Sequence, residues 1–359
     1  MDIETRNILA ASIDSWCRDN HDLIETIETF PLSHAFPPHL FDALNQLGIL
    51  HLLGDGDGHD ELYMVTGIAH QLALHSPSLA VMVVQQNLAA RLLADAGQPL
   101  PDNWIALPLF DAVAEWPHLL TQDRSKKTMR ITGCWSSLPL LSLTHQVLLP
   151  LATTNPADFL LVALDLKQNA KEIRVSTPIM PLGLRGCPQA DLQLDNLRVP
   201  ATAILLHGVQ AHARLDVLWS QAETCMMAIR AGIAQRSYAT ARDYARQRYQ
   251  GGKIIIQHSL IRKMLADFYR EQVTMDAGWQ TLASNLHSGC KLSPGEMGMA
   301  LHSAERLPWL TSDGIQILGG VGYMEEYGQE RRYRDAKQCE FLLGHPQARH
   351  FSLWQADAE

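Results

Sequence analysis

The sequence predicts a mostly α-helical protein with a central β module, and three observations carry this prediction. Hydrophobic residues make up 47% and charged residues 19% of the 359 residues, which is the balance of a compact chain with a large core. Apolar residues recur at helical spacing over 1–102 and 209–359, whereas those of 103–208 form short runs between turn signals. We therefore expect an N-terminal helical domain (1–102), a small β-sandwich or barrel (103–208) and a C-terminal antiparallel four-helix bundle (209–359).

Helix starts and stops organise the N-terminal domain. Pro37 and Pro38 precede F-D-A-L-N-Q-L-G, where proline is typical of a helix start and Gly48 of a helix end. A second helix is expected to begin at Ser76-Pro77. Its apolar residues are too dense for a single face, so we expect this helix to be buried on most sides.

The middle domain changes from helical spacing to alternation. Leu192 and Leu194 alternate with polar neighbours, and Leu197 and Val199 do the same. A period of two predicts strands with one buried face. Further strands are expected in M-R-I-T-G, Q-V-L-L-P-L-A and D-F-L-L-V-A-L-D.

Long helices return in the C-terminal domain. One is expected over about 213–249, another from about Gln257, and a third at Ser293-Pro294, where Glu296 completes a capping box. The first of these helices carries one apolar stripe, formed by Leu215, Leu218, Ala222, Cys225, Ile229 and Ile233.

Composition excludes several classes of protein. The formal charge of −9 argues against non-specific nucleic-acid binding, which needs a basic face. No run of 18 apolar residues predicts a membrane-spanning helix, and the acidic start M-D-I-E-T-R lacks a secretory signal core. The six cysteines form no C-x-x-C pair and the sixteen histidines no zinc motif, so we expect a reducing, cytoplasmic compartment and no bound metal.

Two glycine-rich segments are candidates for binding a nucleotide cofactor. Gly319, Gly320 and Gly322 lie in Q-I-L-G-G-V-G-Y, and glycine lets the backbone approach a ligand closely with its amides exposed. Arg248 offers a planar fork suited to a diphosphate, and Gly251 follows it closely. Alternatively, these glycines only end helices and let them pack.

The same segments carry a family resemblance. Q-I-L-G-G-V-G-Y runs into E-R-R-Y-R-D-A-K at 330–337, Y-A-R-Q-R-Y-Q-G-G-K-I-I-I-Q-H lies upstream at 244–258, and L-G-L-R-G-C-P-Q-A-D-L-Q-L-D-N-L-R-V-P occupies 182–200. In this order, over nearly the whole chain, they resemble the acyl-CoA dehydrogenase family. The resemblance implies FAD as cofactor and an acyl-CoA thioester as substrate. It also implies an acceptor of the electron-transfer flavoprotein type.

The resemblance implies a cofactor site shared between two chains. Arg248 and residues 316–320 would reach the adenine and diphosphate end of a neighbouring subunit's FAD, which requires an oligomer. The cofactor residues implied in this way are Arg248, Gly251, Gln316, Gly319, Gly320 and Gln347.

The catalytic carboxylate of the family is absent from its usual place. In the family a glutamate removes the α-proton of the thioester while flavin N5 takes the β-hydride, and Leu343 occupies that glutamate's position here. Some members place the glutamate on the long helix that opens the C-terminal domain, near Ala222, which makes the adjacent Glu223 the candidate base. Apolar surroundings such as Trp219 would raise its pKa, and the alternative role for Glu223 is a salt bridge, for example with Arg230.

The motifs that hold the flavin ring also differ from the family pattern. The stretch 105–116 lacks the family's threonine and serine, and C-W-S-S replaces W-I-T-N. Trp135 would still cover the flavin ring, and Ser136 or Ser137 would donate a hydrogen bond to it; alternatively, Trp135 is β-module core. Since the adenine-end motifs survive better, one hypothesis is a subunit of a hetero-oligomer whose partner supplies the base.

Three functions therefore remain open from the sequence. The chain is an acyl-CoA dehydrogenase, acting alone as a homo-oligomer or with a paired subunit. It is a flavin-dependent monooxygenase-like or other flavoenzyme that abstracts no α-proton. Or it is a non-catalytic structural subunit.

Overall fold

The computed structural model describes residues 3–29, 36–55, 59–108, 119–123, 128–151, 159–168, 171–286 and 290–358. As the sequence predicts, helices flank a central β module. The N-terminal helices are α1 (Ile3–Asp19), α2 (His21–Thr29), α3 (Leu40–Gln46), α4 (Leu52–Asp55), α5 (His59–Ala73) and α6 (Pro77–Asp95).

The α6 helix begins and packs as its sequence predicts. Ser76 is its N-cap and accepts a hydrogen bond from the backbone N–H of Leu79 at 3.1 Å, with Pro77 in the first turn. Almost every side chain of the helix is buried. Its buried amide nitrogens donate to backbone carbonyls, as Gln85 does to Pro139 at 3.0 Å and Asn87 to Ile49 at 2.7 Å, which offsets part of the cost of burying them.

The middle module consists of two antiparallel sheets around one core. One sheet has the strand order β1-β2-β6-β5 and the other β3-β4-β7. Leu192, Leu194, Leu197 and Val199 are all buried in this core, which confirms the alternation in the sequence. The strands are β1 (Leu119–Asp123), β2 (Thr128–Pro139), β3 (Gln146–Leu151), β4 (Leu160–Asp165), β5 (Ile173–Val175), β6 (Gln189–Pro200) and β7 (Ile204–His207).

The C-terminal helices form a bundle around one 40-residue helix, α7. It packs against α8, α9 and α10, while α11 lies on α9. The predicted capping box is present, because Ser293 caps α9 and its backbone N–H donates to Glu296 at 2.8 Å. The elements are α7 (Gly208–Gln247), β8 (Tyr249–Gln250), β9 (Lys253–Ile254), α8 (Ser259–Asn285), α9 (Pro294–Leu318), α10 (Gln329–Phe341) and α11 (Pro346–Ala358).

A buried polar junction joins the three parts of the chain. The Asp335 carboxylate on α10 accepts the backbone N–H of Leu184 at 2.7 Å, and the Arg334 carbonyl lies against Gly183 with no room for a side chain. Glu28 on α2 is also fully enclosed here and accepts hydrogen bonds from the hydroxyls of Ser76 and Ser78. The middle segment that resembles the family therefore meets the R-D-A-K helix directly.

All six cysteines are free thiols, four of them buried. Among the described residues, no helix is both long and apolar enough to cross a bilayer.

Candidate functional site

Arg248 lies where α7 ends and a two-residue hairpin begins. It caps α7 and its side chain is exposed, making no ion pair within the described part of the chain. Tyr249–Gln250 pairs with Lys253–Ile254 across Gly251 and Gly252, whose φ angles are +63° and +80°. Because two consecutive positive φ angles define this tight hairpin turn, both glycines have a local conformational reason to be there.

The glycines after α9 divide into two kinds. Gly319 and Gly320 are exposed, and a Cβ added to either would meet no atom within 4 Å. Gly319 also has a φ of +65°. In contrast, a Cβ at the buried Gly322 would lie 2.6 Å from the Ile315 carbonyl oxygen. Gly322 is thus required by packing, whereas the backbone at Gly319 and Gly320 is open to an approaching ligand.

A small apolar core holds these two segments together. Ala245 and Ile255 on the hairpin side pack in one cluster with Ile317 and Leu318 at the end of α9. The backbone of Arg248 is fixed to the same cluster, because its carbonyl accepts the N–H of Ile255 at 2.8 Å. The structure thus gathers the two motifs at one end of the bundle, and the exposed Gln316 lies on the last turn of α9 there.

Glu223 is enclosed in the bundle between two arginines. Its side chain is 5% exposed, and its Oε1 lies 2.5 Å from Nη2 of Arg349 on α11. Its Oε2 lies 3.6 Å from Nη1 of Arg230. Arg230 also donates to the Ala300 and Cys339 carbonyls, at 3.2 and 3.4 Å. The salt bridge that the sequence suggested with Arg230 is present, and Arg349 is a second, closer partner.

This arrangement limits what Glu223 can do chemically. A cavity of about 90 Å³ beside it is lined by Trp219, Met297 and Arg349, among others. Burial lowers the pKa of Arg230 to about 10, which still leaves it cationic at neutral pH. Arg349 occupies Oε1 of Glu223, so a substrate proton would have to reach Oε2, which makes no hydrogen bond to the described residues and lies beside Arg230. Sequence reasoning missed Arg349, because it lies far from Glu223 along the chain and only the fold brings them together.

Leu343 lies in the short loop between α10 and α11, with a fully buried side chain. Its φ of +62° is a left-handed conformation that costs an L-residue about 1–2 kcal/mol. Packing in the large core that joins the N-terminal helices to the bundle holds it there. Leu343 thus places an apolar side chain, which cannot accept a proton, at this position. Gln347 is exposed in the first turn of α11.

Trp135 and Ser137 lie at an irregularity of β2. The pairing with β6 shifts register between Trp135 and Leu138. The Trp135 side chain is buried in the core between the two sheets, which is the alternative the sequence left open. Ser137 has a φ of +56°, and its backbone N–H donates to the Asp191 carboxylate at 2.8 Å. Residues 109–116 of the altered motif lie outside the described residues.

Comparison with known proteins agrees with this architecture. Residues 220–348 match the acyl-CoA dehydrogenase C-terminal domain family. The cyclohex-1-ene-1-carbonyl-CoA dehydrogenase of Syntrophus aciditrophicus (strain SB) is 31% identical over 164 residues, which are 45% of this chain and 40% of that protein. The matched region thus spans less than half of that relative's length.

Solved structures match the chain along its whole length. The acyl-CoA dehydrogenase from Geobacillus kaustophilus superimposes with a TM-score of 0.86 at 15% identity, covering 99% of this chain and 98% of that one. A glutaryl-CoA dehydrogenase from Mycobacterium smegmatis in complex with FADH2 gives 0.81 at 16% identity, covering 99% and 95%. At this level of identity, the structural matches define the fold.

Proposed function

We propose that this chain belongs to the acyl-CoA dehydrogenase family and that it is an FAD-dependent flavoprotein, which the match of residues 220–348 to the C-terminal domain model and the overall fold support. Its reaction would be the α,β-oxidation of an acyl-CoA thioester, with electrons passing to an acceptor of the electron-transfer flavoprotein type. The glutaryl-CoA dehydrogenase structure from M. smegmatis is a complex with FADH2, which supports the choice of cofactor.

One observation carries the proposal: the exposed Arg248 and the open backbone at Gly319 and Gly320 lie at the same end of the bundle. The residues present fit the adenine and diphosphate half of FAD. A guanidinium that pairs with no carboxylate among the described residues matches a diphosphate, and unobstructed glycine backbone accepts close contact. When bound, the flavin would accept the β-hydride.

The flavin-ring half fits less well to this chain's own residues. The indole of Trp135 is enclosed in the β core, Leu343 has no carboxylate, and the Glu223 carboxylate lies between two guanidinium groups. We therefore favour a hetero-oligomer in which this chain binds the adenine half of a partner's FAD. The partner would supply the carboxylate that removes the α-proton.

Flavin content and bleaching test the proposal. The chain would be purified alone and, from its native source, together with any related subunit that copurifies with it. The flavin spectrum would then be followed under anaerobic addition of straight-chain, branched and cyclic acyl-CoA thioesters. We expect flavin in the assembly and bleaching by at least one thioester. A preparation that binds no flavin in either form would contradict the proposal and favour a structural subunit.

The Glu223→Gln variant separates the two sources of the base. If the partner supplies the carboxylate, this variant retains bleaching in the assembly once it is shown to be folded. The matched control is Glu340→Gln, which replaces a half-buried glutamate paired with Lys337 on α10. Bleaching by this chain alone that is lost in Glu223→Gln would contradict the hetero-oligomer and make Glu223 the base.

A second candidate is a flavoenzyme of this fold that abstracts no α-proton, such as a flavin monooxygenase. The observation that favours it is the buried Leu343 in the place of the family's glutamate. In that case acyl-CoA thioesters would leave the flavin oxidised, and the chemically reduced flavin would react with oxygen to hydroxylate a substrate.

A further inference from the structure

A second cavity, remote from Glu223 and from Arg248, lies between the N-terminal helices and the bundle. Its volume is about 270 Å³, equal to about nine water molecules in the liquid. Helices α1 and α5 form one wall, and α7 and α8 the other. The lining residues are Leu9, Ala10, Ile13, Tyr63, Gly67, Ile68, His70, Gln71, Gln235, Asp276, Trp279 and Gln280.

Among the described residues of this lining, Asp276 is the only one with a carboxylate, and hydrogen bonds fix its orientation. Its Oδ1 accepts the indole N–H of Trp279 at 2.8 Å, and its Oδ2 accepts the amide of Gln280 at 3.3 Å. Both donors are neutral, so they orient the carboxylate without neutralising it. None of the described residues in this lining is a lysine or an arginine.

His70 does not supply the missing positive charge at neutral pH. Its ring stacks on Trp279, with centroids 5.5 Å apart, and its Nε2 lies 3.5 Å from Oδ1 of Asp276. That Nε2 is buried and makes no hydrogen bond. Burial lowers the pKa of His70 in spite of the nearby carboxylate, so the ring is neutral under ordinary conditions. The described lining residues therefore contribute one negative charge, several amides and two aromatic rings, and no cation.

We propose that this cavity is a binding site for a small organic cation of the alkylammonium class. The ammonium group would lie against the Asp276 carboxylate, near the rings of Trp279 and Tyr63. Carboxylates and aromatic rings both attract ammonium groups. The alkyl part would lie against the apolar wall of Leu9 and Ile13.

The same charge balance excludes the ligands of the proposed reaction. A nucleotide or a CoA thioester carries several phosphate charges, and no guanidinium or ammonium group in this lining would offset their repulsion by Asp276. The cavity is therefore a separate site. Because its walls come from both helical domains, a ligand here would stabilise their contact.

Gly67 allows the site to be blocked without disturbing the fold. It lies in the wall on α5, and a Cβ added there would meet no atom within 4 Å. A larger side chain at this position would project into open space. Replacing a helical glycine by a residue with better helix propensity also favours the folded state.

The test is calorimetric titration with choline, compared with 3,3-dimethylbutan-1-ol, its uncharged isostere. We expect saturable binding of choline and at least tenfold weaker binding of the alcohol. Asp276→Asn keeps the shape of the site but removes its charge, so choline should bind about ten- to hundredfold more weakly. Asp267→Asn, on the same helix but outside the cavity, should bind like the wild type.

Gly67→Leu is the steric variant, and it should abolish choline binding with no fall in thermal midpoint. The midpoint also shows whether each variant is folded. Equal binding of choline and the alcohol would overturn the proposal, as would wild-type affinity in Asp276→Asn. Absence of saturable choline, tetramethylammonium and butylammonium binding would overturn it as well. None of these results depends on flavin or thioester binding, so they stand apart from the test of the proposed function.

Discussion

Asp335 is an acid group placed where ionisation is unfavourable. It is fully buried and faces Glu28 across the junction of the three parts of the chain. Burial, together with the Glu28 charge, raises the pKa of Asp335 to about 7, and burial raises the pKa of Glu28 as well. Arg331, which pairs with Glu25 at 3.1 Å, offsets only part of this effect. The junction therefore favours protonated carboxyl groups.

This placement predicts a pH-dependent stability. Because the pKa of Asp335 is higher in the folded than in the unfolded chain, its stabilising contribution is complete below about pH 4 and is lost as pH rises through 7. In Asp335→Asn the amide still accepts from Leu184 but does not ionise. We expect urea unfolding between pH 4 and 8 to show a smaller loss of stability with rising pH in this variant.

The control is Asp42→Asn on the exposed surface of α3, which should keep the wild-type pH dependence. An unchanged pH profile in Asp335→Asn would contradict the prediction.

Substitutions of Glu223 and of Arg349 should lower the free energy of unfolding by unequal amounts. Glu223→Gln leaves Arg230 and Arg349 as two buried cations without a counterion, which should lower the free energy of unfolding by about 3–5 kcal/mol. Arg349→Met should cost less, because Glu223 keeps Arg230 at 3.6 Å. The double variant should be more stable than Glu223→Gln alone.

Chemical denaturation of the four proteins measures these differences as a double-mutant cycle. Arg18→Met, which removes an exposed ion pair with Asp14, should cost less than about 1 kcal/mol and is the control. A Glu223→Gln variant as stable as the wild type would show that the cluster does not depend on its carboxylate.

At the level of elements, two helices with the same start signal are set in different surroundings. α6 and α9 each begin with a serine N-cap followed by proline. Ser293 bonds only within its own capping box, whereas the Ser76 hydroxyl also donates to the buried Glu28 carboxyl at 2.5 Å. The same motif thus has a local role in α9 and a tertiary role in α6.

Replacing each serine by alanine should separate these roles. Ser293→Ala should lower the free energy of unfolding by about 1 kcal/mol, the usual effect of losing an N-cap. Ser76→Ala should cost about 1–3 kcal/mol more, because it also leaves a buried carboxyl group with one hydroxyl donor fewer. Thermal or urea unfolding at pH 7 measures both, and equal losses would contradict the tertiary role of Ser76.

Local signals predicted the elements, while contacts between distant residues decided the site. The caps at Ser76 and Ser293 and the alternation of Leu192 and Leu194 are short-range patterns, and the structure confirms them. Alternation along the strand shows that the Trp135 side chain points to one of two faces of the sheet. It does not show which of these faces is the core. In a sequence, glycine is the usual sign of a positive φ. Because position 343 is a leucine, the sequence does not reveal its positive φ.

The partners of Glu223 and His70 illustrate the same limit. Arg349 follows Glu223 by 126 residues, and Asp276 lies on α8, far along the chain from His70 on α5. No spacing rule connects such pairs. The family resemblance located the end of the bundle that carries Arg248 and Gly320, because that motif is a continuous segment.

For the whole molecule, the glycines after α9 predict that thermal stability and flavin content can be changed separately. Gly320→Leu adds a side chain where the structure has open space, so it should leave the thermal midpoint unchanged but lower the flavin content of the assembly. Gly322→Leu would collide with the Ile315 backbone and should lower the midpoint strongly. Flavin absorbance per chain and differential scanning fluorimetry provide the two readouts. Full flavin content in a folded Gly320→Leu would contradict the shared site.

The unbroken length of α7 has a consequence for how this chain can vary. The helix has 40 residues and is about 60 Å long, with Glu223 in its first half and Arg248 at its end. Each residue of a helix turns the chain by about 100°, so a single insertion between them would swing the hairpin to another side of the axis. Surface loops absorb insertions and deletions easily, but within α7 such a change would alter the direction of the hairpin relative to Glu223, so we expect the spacing between the two to be kept.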